Sequence, residues 1–167
     1  CTMVIKPASQ TPFSALALVE LAERAGIPKG VLSVVTGSAA EIAEELTSNP
    51  VVRKISFTGS TEIGRRVMEL ASRDIKRVSL ELGGKSPNII FADADWQRAA
   101  ESSPMSVFAN TGQDCCARSR IFVEGSIYER FAERFIEATR ELEIGNPTLE
   151  ATQIGPLVSA GQRASVE

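Results

Sequence analysis

Apolar positions along this chain switch repeatedly between a period of two and a period near 3.6, which predicts strands and helices in turn. The opening Cys1-Thr2-Met3-Val4-Ile5 is a β-prone run. Thr11-Pro12 then offers an N-cap followed by proline at the first helical position. Ala15, Leu16, Leu18, Val19, Leu21 and Ala22 supply the apolar stripe of a helix that stops at Gly26. Residues 31–35 predict a buried strand closed by Gly37, and residues 40–46 a helix halted ahead of Asn49-Pro50. The rhythm repeats with a strand at 54–57, a glycine turn, and a helix at 62–71 carrying Ile63, Val67, Leu70 and Ala71 on one face.

Strands are predicted next at 77–80 and 88–91, separated by Gly83-Gly84. Asp93-Ala94-Asp95 can cap a helix over 96–108, in which Pro104 should produce a kink or a late start. A strand at 120–123 and a strongly amphipathic helix at 126–142 follow, and from Thr148 onward the pattern reads as loop. Strand and helix alternating at this spacing predict an α/β fold of βαβ units with a parallel sheet.

Composition narrows the chemistry. The 167 residues hold 43% hydrophobic and 23% charged side chains, enough apolar material for a packed core. A net charge of −3 without a basic run argues against nucleic acid as a partner, and Arg65-Arg66 and Lys76-Arg77 read as solvated faces. The absence of a long apolar segment or a leader-like N-terminus argues against a membrane and makes the cytoplasm the expected compartment. Three cysteines, two of them adjacent, do not make a disulfide framework. Zero histidines removes histidine-dependent nucleophile pairs and most zinc sites, so no metal is expected and any base must be Glu, Asp or Lys.

Three segments could carry chemistry. In Phe57-Thr58-Gly59-Ser60-Thr61-Glu62-Ile63-Gly64 a glycine turn joins a strand to a helix N-terminus, where backbone N–H groups favour anions. It is neither a P-loop, since Arg65-Arg66 follows Gly64, nor G-x-G-x-x-G, and a simple cap with close packing at Gly64 explains it equally well. The polar segment from Asn110 to Arg120 holds Cys115 and Cys116, candidate nucleophiles or else small buried hydrophobes. Glu81 leaves an apolar strand for Gly83-Gly84, a place where a partly desolvated carboxylate can act as a general base; an exposed residue or an ion pair with Lys85 is the plainer reading.

Together these segments resemble the aldehyde dehydrogenase superfamily. Ile5-Lys6-Pro7-Ala8-Ser9-Gln10-Thr11-Pro12, the 57–64 turn, Glu81-Leu82-Gly83-Gly84-Lys85-Ser86-Pro87-Asn88 and Gly112-Gln113…Cys115…Ala117…Ser119-Arg120 match in family order and cover almost the whole chain. The resemblance implies oxidation of a small aldehyde to a carboxylate with NAD or NADP. Cys115 would be the nucleophile that forms a thiohemiacetal and then a thioester, and Glu81 the base that activates water to hydrolyse it. Lys6, Ser9, Gly59, Ser60 and Gly83 fall at cofactor-binding positions. Ser9 stands where NAD-preferring members often carry a glutamate, which leans the expectation toward dual or NADP use.

The run from Lys6 to Glu20 resembles succinate-semialdehyde dehydrogenases in particular, whereas Asp114-Cys115-Cys116-Ala117-Arg118 departs from their thiol loop. Residues 1–81 correspond to the latter part of a Rossmann-like NAD(P)-binding domain, and 82–167 to the first part of an α/β catalytic domain. The family's oxyanion asparagine and its nicotinamide-ribose glutamate fall outside the chain, which is expected to be a central fragment of a homo-oligomeric enzyme. Two other readings stay open: a catalytically incomplete dinucleotide-binding or structural module, and a cysteine-dependent acyl-transfer or redox protein.

Overall fold

The computed structural model describes residues 1–167, which divide into two compact units. Unit one comprises Cys1–Thr58 and Glu62–Leu80; unit two comprises Gly59–Thr61 and Glu81–Glu167.

Unit one opens with β1 (Met3–Ile5), α1 (Phe13–Arg24) and β2 (Leu32–Val34). The two strands pair in parallel with Met3 opposite Leu32 and Ile5 opposite Val34, so α1 is the crossover of a βαβ unit. The helix begins one residue later than Thr11-Pro12 suggests: Pro12 occupies the N-cap, and no side chain caps it. Its apolar stripe is present but uncovered, with no buried residue and with Phe13, Leu16, Leu18 and Leu21 exposed. Strand β2 is half-buried rather than buried, because its two-stranded sheet gives it one neighbour only.

Helix α2 (Ala39–Ser48) is capped by Ser38, whose hydroxyl accepts the Glu41 N–H at 3.4 Å. Strand β3 (Lys54–Thr58) pairs with β4 (Arg77–Glu81), and α3 (Thr61–Ala71) lies between them in sequence. Gly64, Val67 and Ala71 form the buried side of α3. Ile63, expected on that face, is 50% exposed, and the glycine takes the inward position instead.

Lys76 corrects the reading of Lys76-Arg77 as a solvated face. The preceding Ile75 adopts a left-handed conformation (φ 51°) and points outward, 91% exposed. A β-branched residue adopts that region only when its surroundings require it. The reversal turns Lys76 inward, where its ammonium donates to the carbonyls of Asn49 (2.6 Å) and Val52 (2.9 Å) and lies 3.5 Å from Asp74. A buried ammonium is tolerable when its donors are satisfied in this way, and this one ties the end of α2 to the start of β4.

Unit two is built on β5 (Pro87–Ile90) and β6 (Arg120–Val123), parallel with Pro87 opposite Arg120 and Ile90 opposite Val123. Helix α4 (Trp96–Phe108) is their crossover, capped by Asp95 through the Arg98 N–H at 3.1 Å. Pro104 does not delay this helix, which starts at Trp96; it lies buried within it. Next to it, the buried Ser103 hydroxyl donates to Ala99 O (2.6 Å) and accepts from the Asn88 amide of β5 (3.0 Å). The amphipathic stretch after β6 starts as a short 3₁₀ turn at Gly125–Ile127 and continues as α5 (Tyr128–Arg140).

Ile90, Ala100, Ile127 and Phe131 form the core of this unit, with Trp96, Ile121, Val123 and Phe135 packed against them. At its edge the Arg134 guanidinium bridges Glu101 of α4 (2.6 Å) and Glu137 (3.1 Å), and Arg130 lies 4.6 Å above the Trp96 ring. The region after Thr148, expected as loop, contains α6 (Ala160–Val166), capped by Ser159 through the Gln162 N–H. Its seven residues carry no apolar stripe that a periodicity argument could detect. No helix is long and apolar enough to cross a membrane.

Replacing Lys76 with methionine keeps most of the buried stem but deprives two partly buried carbonyls of their donor, and should lower stability by about 1–3 kcal/mol. Arg65→Met, at an exposed position, is the control. Urea midpoints of the two variants check this: equal midpoints would mean that the Lys76 contacts contribute nothing.

Candidate active site

Glu81 is the last residue of β4, and Cys115 lies in the loop between α4 and β6; both belong to unit two, as do Gly59, Ser60 and Gly83. Lys6 and Ser9 belong to unit one.

The thiol loop begins with three consecutive residues in the left-handed region, Asn110 (φ 51°), Thr111 (φ 58°) and Gly112 (φ 73°). Glycine is at ease there, but the asparagine and the β-branched threonine are strained by on the order of 1–3 kcal/mol each. Side-chain bonds hold the reversal. Asn110 donates to Gln113 O (3.1 Å), Gln113 donates to the Thr111 hydroxyl (2.6 Å), and that hydroxyl donates to Asn110 O (2.6 Å). Beyond the turn the Asp114 carboxylate accepts the Cys116 N–H at 2.9 Å, and Asp114 O accepts the Ala117 N–H at 3.1 Å. The loop leaves through the Arg118 N–H, donated to Ser106 O of α4 at 3.0 Å, and the Arg120 guanidinium, donated to Lys85 O at 2.7 Å.

That last bond brings the segment after Glu81 against the loop, and the glycine pair lets the two approach. A Cβ on Gly84 would stand 2.5 Å from the carbonyl oxygen of Cys115, a separation no side-chain carbon tolerates, whereas one on Gly83 would meet nothing within 4 Å. Gly84 is thus the position that requires glycine, although the sequence motif marks the two alike. The Gly59 N–H, one of the donors expected to face an anion, is bonded to Glu81 O at 3.0 Å. The glycine turn therefore anchors the backbone of Glu81.

Cys115 and Cys116 are both exposed, which overturns the alternative of small buried hydrophobes. Their sulfurs lie 3.7 Å apart. The hydrogen bond and the charge of Cys116 push the Cys115 thiol above its ordinary value, helped by partial desolvation and by the negative charges of Asp114 and Glu81. The resting sulfur is therefore a thiol. Glu81 is exposed at the strand end rather than desolvated, and the Lys85 ammonium turns to Gly84 O (3.2 Å).

In unit one a cleft of about 180 Å³ opens beyond the carboxyl ends of the parallel strands β1 and β2, where open α/β sheets take their ligands. Pro7, Ala8, Ser9, Pro12, Thr36 and Gly37 line it. Thr36 was not singled out from the sequence, and Gly37 only as the residue that closes a strand. The cleft is too small for a whole dinucleotide, and no acidic side chain lines it.

The aldehyde dehydrogenase family model matches residues 1–167. The chain is 58% identical to a glutarate-semialdehyde dehydrogenase of Pseudomonas putida and 57% identical to an NADP(+) succinate-semialdehyde dehydrogenase of Escherichia coli. Each match covers 100% of this chain and 35% of the relative. The crystal structure of an NADP-dependent enzyme of E. coli superposes with a TM-score of 0.95 at 57% identity, over 99% of this chain and 34% of that one. The chain thus spans about a third of the length of the relatives it matches.

Gly84→Ala should displace the thiol loop and destabilise the protein by about 1–3 kcal/mol, with altered alkylation of Cys115, while Gly83→Ala should change neither. Thermal unfolding and mass-resolved alkylation read both variants, and matching behaviour would remove the close approach as the reason for the glycine. A second expectation concerns pH. A raised thiol pKa means that thiolate accumulates only at higher pH, so Cys116→Ala should move the alkylation profile of Cys115 to lower pH. A profile that stays in place would show that Cys116 is not the cause.

Proposed function

The chain belongs to the aldehyde dehydrogenase family, and from that premise we propose that it carries the nucleophile and general base of an enzyme that oxidises aldehydes to carboxylates. One observation carries this reading: the loop bearing Cys115 is held against the segment that leaves Glu81, closely enough that only glycine fits between them and that the charge of Glu81 reaches the sulfur.

In this reading the Cys115 sulfur bonds to the aldehyde carbon, and the proton it sheds passes to solvent or, through water, to Glu81. A bound nicotinamide dinucleotide supplies the two-electron acceptor. The oxidised adduct is a thioester on the same sulfur, and Glu81 takes a proton from the water that attacks it. The C–S bond then breaks, the carboxylate leaves, and Cys115 is free again. Position is what Glu81 brings to this role.

The cleft at the ends of β1 and β2 supports a cofactor role for Ser9 and, three residues before it, for Lys6. With no carboxylate lining it, nothing there repels a 2′-phosphate, so NADP is accepted beside NAD. Gly59 and Ser60 lie at the turn assigned to the pyrophosphate, with Gly59 allowing close backbone approach rather than donating. A Rossmann-like role for residues 1–81, a catalytic role for 82–167 and homo-oligomeric assembly of the full-length protein belong to the same proposal. Glutarate and succinate semialdehydes are the first substrates to try, since the relatives named above are described by them.

In the full-length enzyme, Cys115→Ala should reduce aldehyde-dependent NAD(P)H formation to background. Glu81→Gln should slow steady turnover by about 10²–10⁴-fold while leaving a first-turnover burst, because acylation survives and hydrolysis does not. Stopped-flow absorbance checks both. Undiminished turnover in Cys115→Ala would exclude the thiol as nucleophile.

A further inference from the structure

Cys116 and Asp114 have no part in the chemistry above, yet with Cys115 they form a second kind of site. The Cys115 and Cys116 sulfurs and a carboxylate oxygen of Asp114 all lie within 4.8 Å of one another, and all three residues are exposed. A tetrahedral zinc ion with Zn–S bonds of about 2.3 Å holds its two sulfurs about 3.8 Å apart. The 3.7 Å between these sulfurs is that span.

It is far from the ~2.05 Å of a disulfide, whose closure between sequence neighbours would also distort the intervening peptide. The loop already holds the third donor in place, since the Asp114 carboxylate is fixed on the Cys116 N–H at 2.9 Å. The chain has no histidine and only one other cysteine, Cys1, so no second histidine or paired-thiol site competes.

We propose that Asp114, Cys115 and Cys116 bind one thiophilic divalent cation, of which zinc and cadmium are the types, with water in the fourth position. On binding, two S–H bonds break and two metal–sulfur bonds form. Two protons pass to solvent, and no electrons are transferred. Thiolate sulfur selects soft cations over magnesium or calcium, and the carboxylate completes a set of three protein donors. Bound metal masks the Cys115 sulfur. The consequence for turnover rests on the nucleophile reading of the preceding section; the site itself does not.

The test uses the reduced protein in thiol-free buffer, titrated with zinc or cadmium chloride, with free thiols counted by a chromogenic disulfide reagent. One equivalent of metal should lower the count from three to one, leaving Cys1, and a chelator should restore all three. Cadmium should add sulfur-to-metal charge-transfer absorption in the ultraviolet. Cys116→Ser and Asp114→Asn should each weaken binding by at least about tenfold, and Cys1→Ser should leave it unchanged.

A count that stays at three beside stoichiometric metal overturns the proposal, as does equal binding by Cys116→Ser. Thiols that a chelator does not restore would mean oxidation instead, and also overturn it. In the full-length enzyme, zinc should inhibit, and Cys116→Ser should raise the zinc required by about tenfold or more. Metal binding with undiminished turnover would leave the site standing and remove Cys115 as nucleophile.

Discussion

The carbonyl of Cys115 passes so close to Gly84 that a single carbon atom there would meet it at 2.5 Å, and the arrangement of the candidate site follows from that approach. A loop bearing a reactive side chain needs a rigid surface to rest on, and here the surface is the backbone of the segment leaving β4. Arg120 secures it from the other side by donating to Lys85 O, and the Gly59 N–H secures Glu81 itself. Backbone-to-backbone contact defines position more tightly than long side chains could, because few rotatable bonds intervene.

Strain and its compensation meet in the same loop. Asn110 and Thr111 occupy a backbone region unfavourable to both, and the bonds among Asn110, Thr111 and Gln113 offset part of the penalty. Elsewhere the fold is sparing. Three two-stranded sheets and an α1 with no buried residue leave strand edges and an apolar stripe available, surfaces on which further polypeptide packs in larger folds. The well-covered core lies in unit two, around Phe131 and Ile90, against the strand β6 that follows the thiol loop.

Much of this was legible in the sequence because it depends on local rules. Strand–helix alternation, the cap at Asp95, and the parallel pairing of β5 with β6 across a helical crossover follow from period and turn chemistry. What stayed hidden depends on tertiary geometry. Lys76 reads as a surface cation until the left-handed Ile75 turns it toward two carbonyls 27 and 24 residues away. Pro104 reads as a kink or a late start, yet the helix begins at Trp96 and buries Pro104 inside it, packing that offsets the lost hydrogen bond. The thiol loop and Glu81 were recognisable as a set, but which glycine of the pair mattered, and why, required the position of a carbonyl 31 residues away.

The proximity of Cys116 sets the character of Cys115. A neighbour that shares a hydrogen bond and would compete in ionisation keeps the sulfur protonated, the opposite of the electropositive setting that makes a permanently activated thiolate. The thiol form also resists oxidation far better than the thiolate, which favours an exposed cysteine. Under the proposed nucleophile role, activation would come with the substrate and cofactor in place, Glu81 acting as the proton acceptor through water. The 3.7 Å between the sulfurs also matches the span of two thiolates on a single metal ion, whose positive charge would offset the repulsion between them.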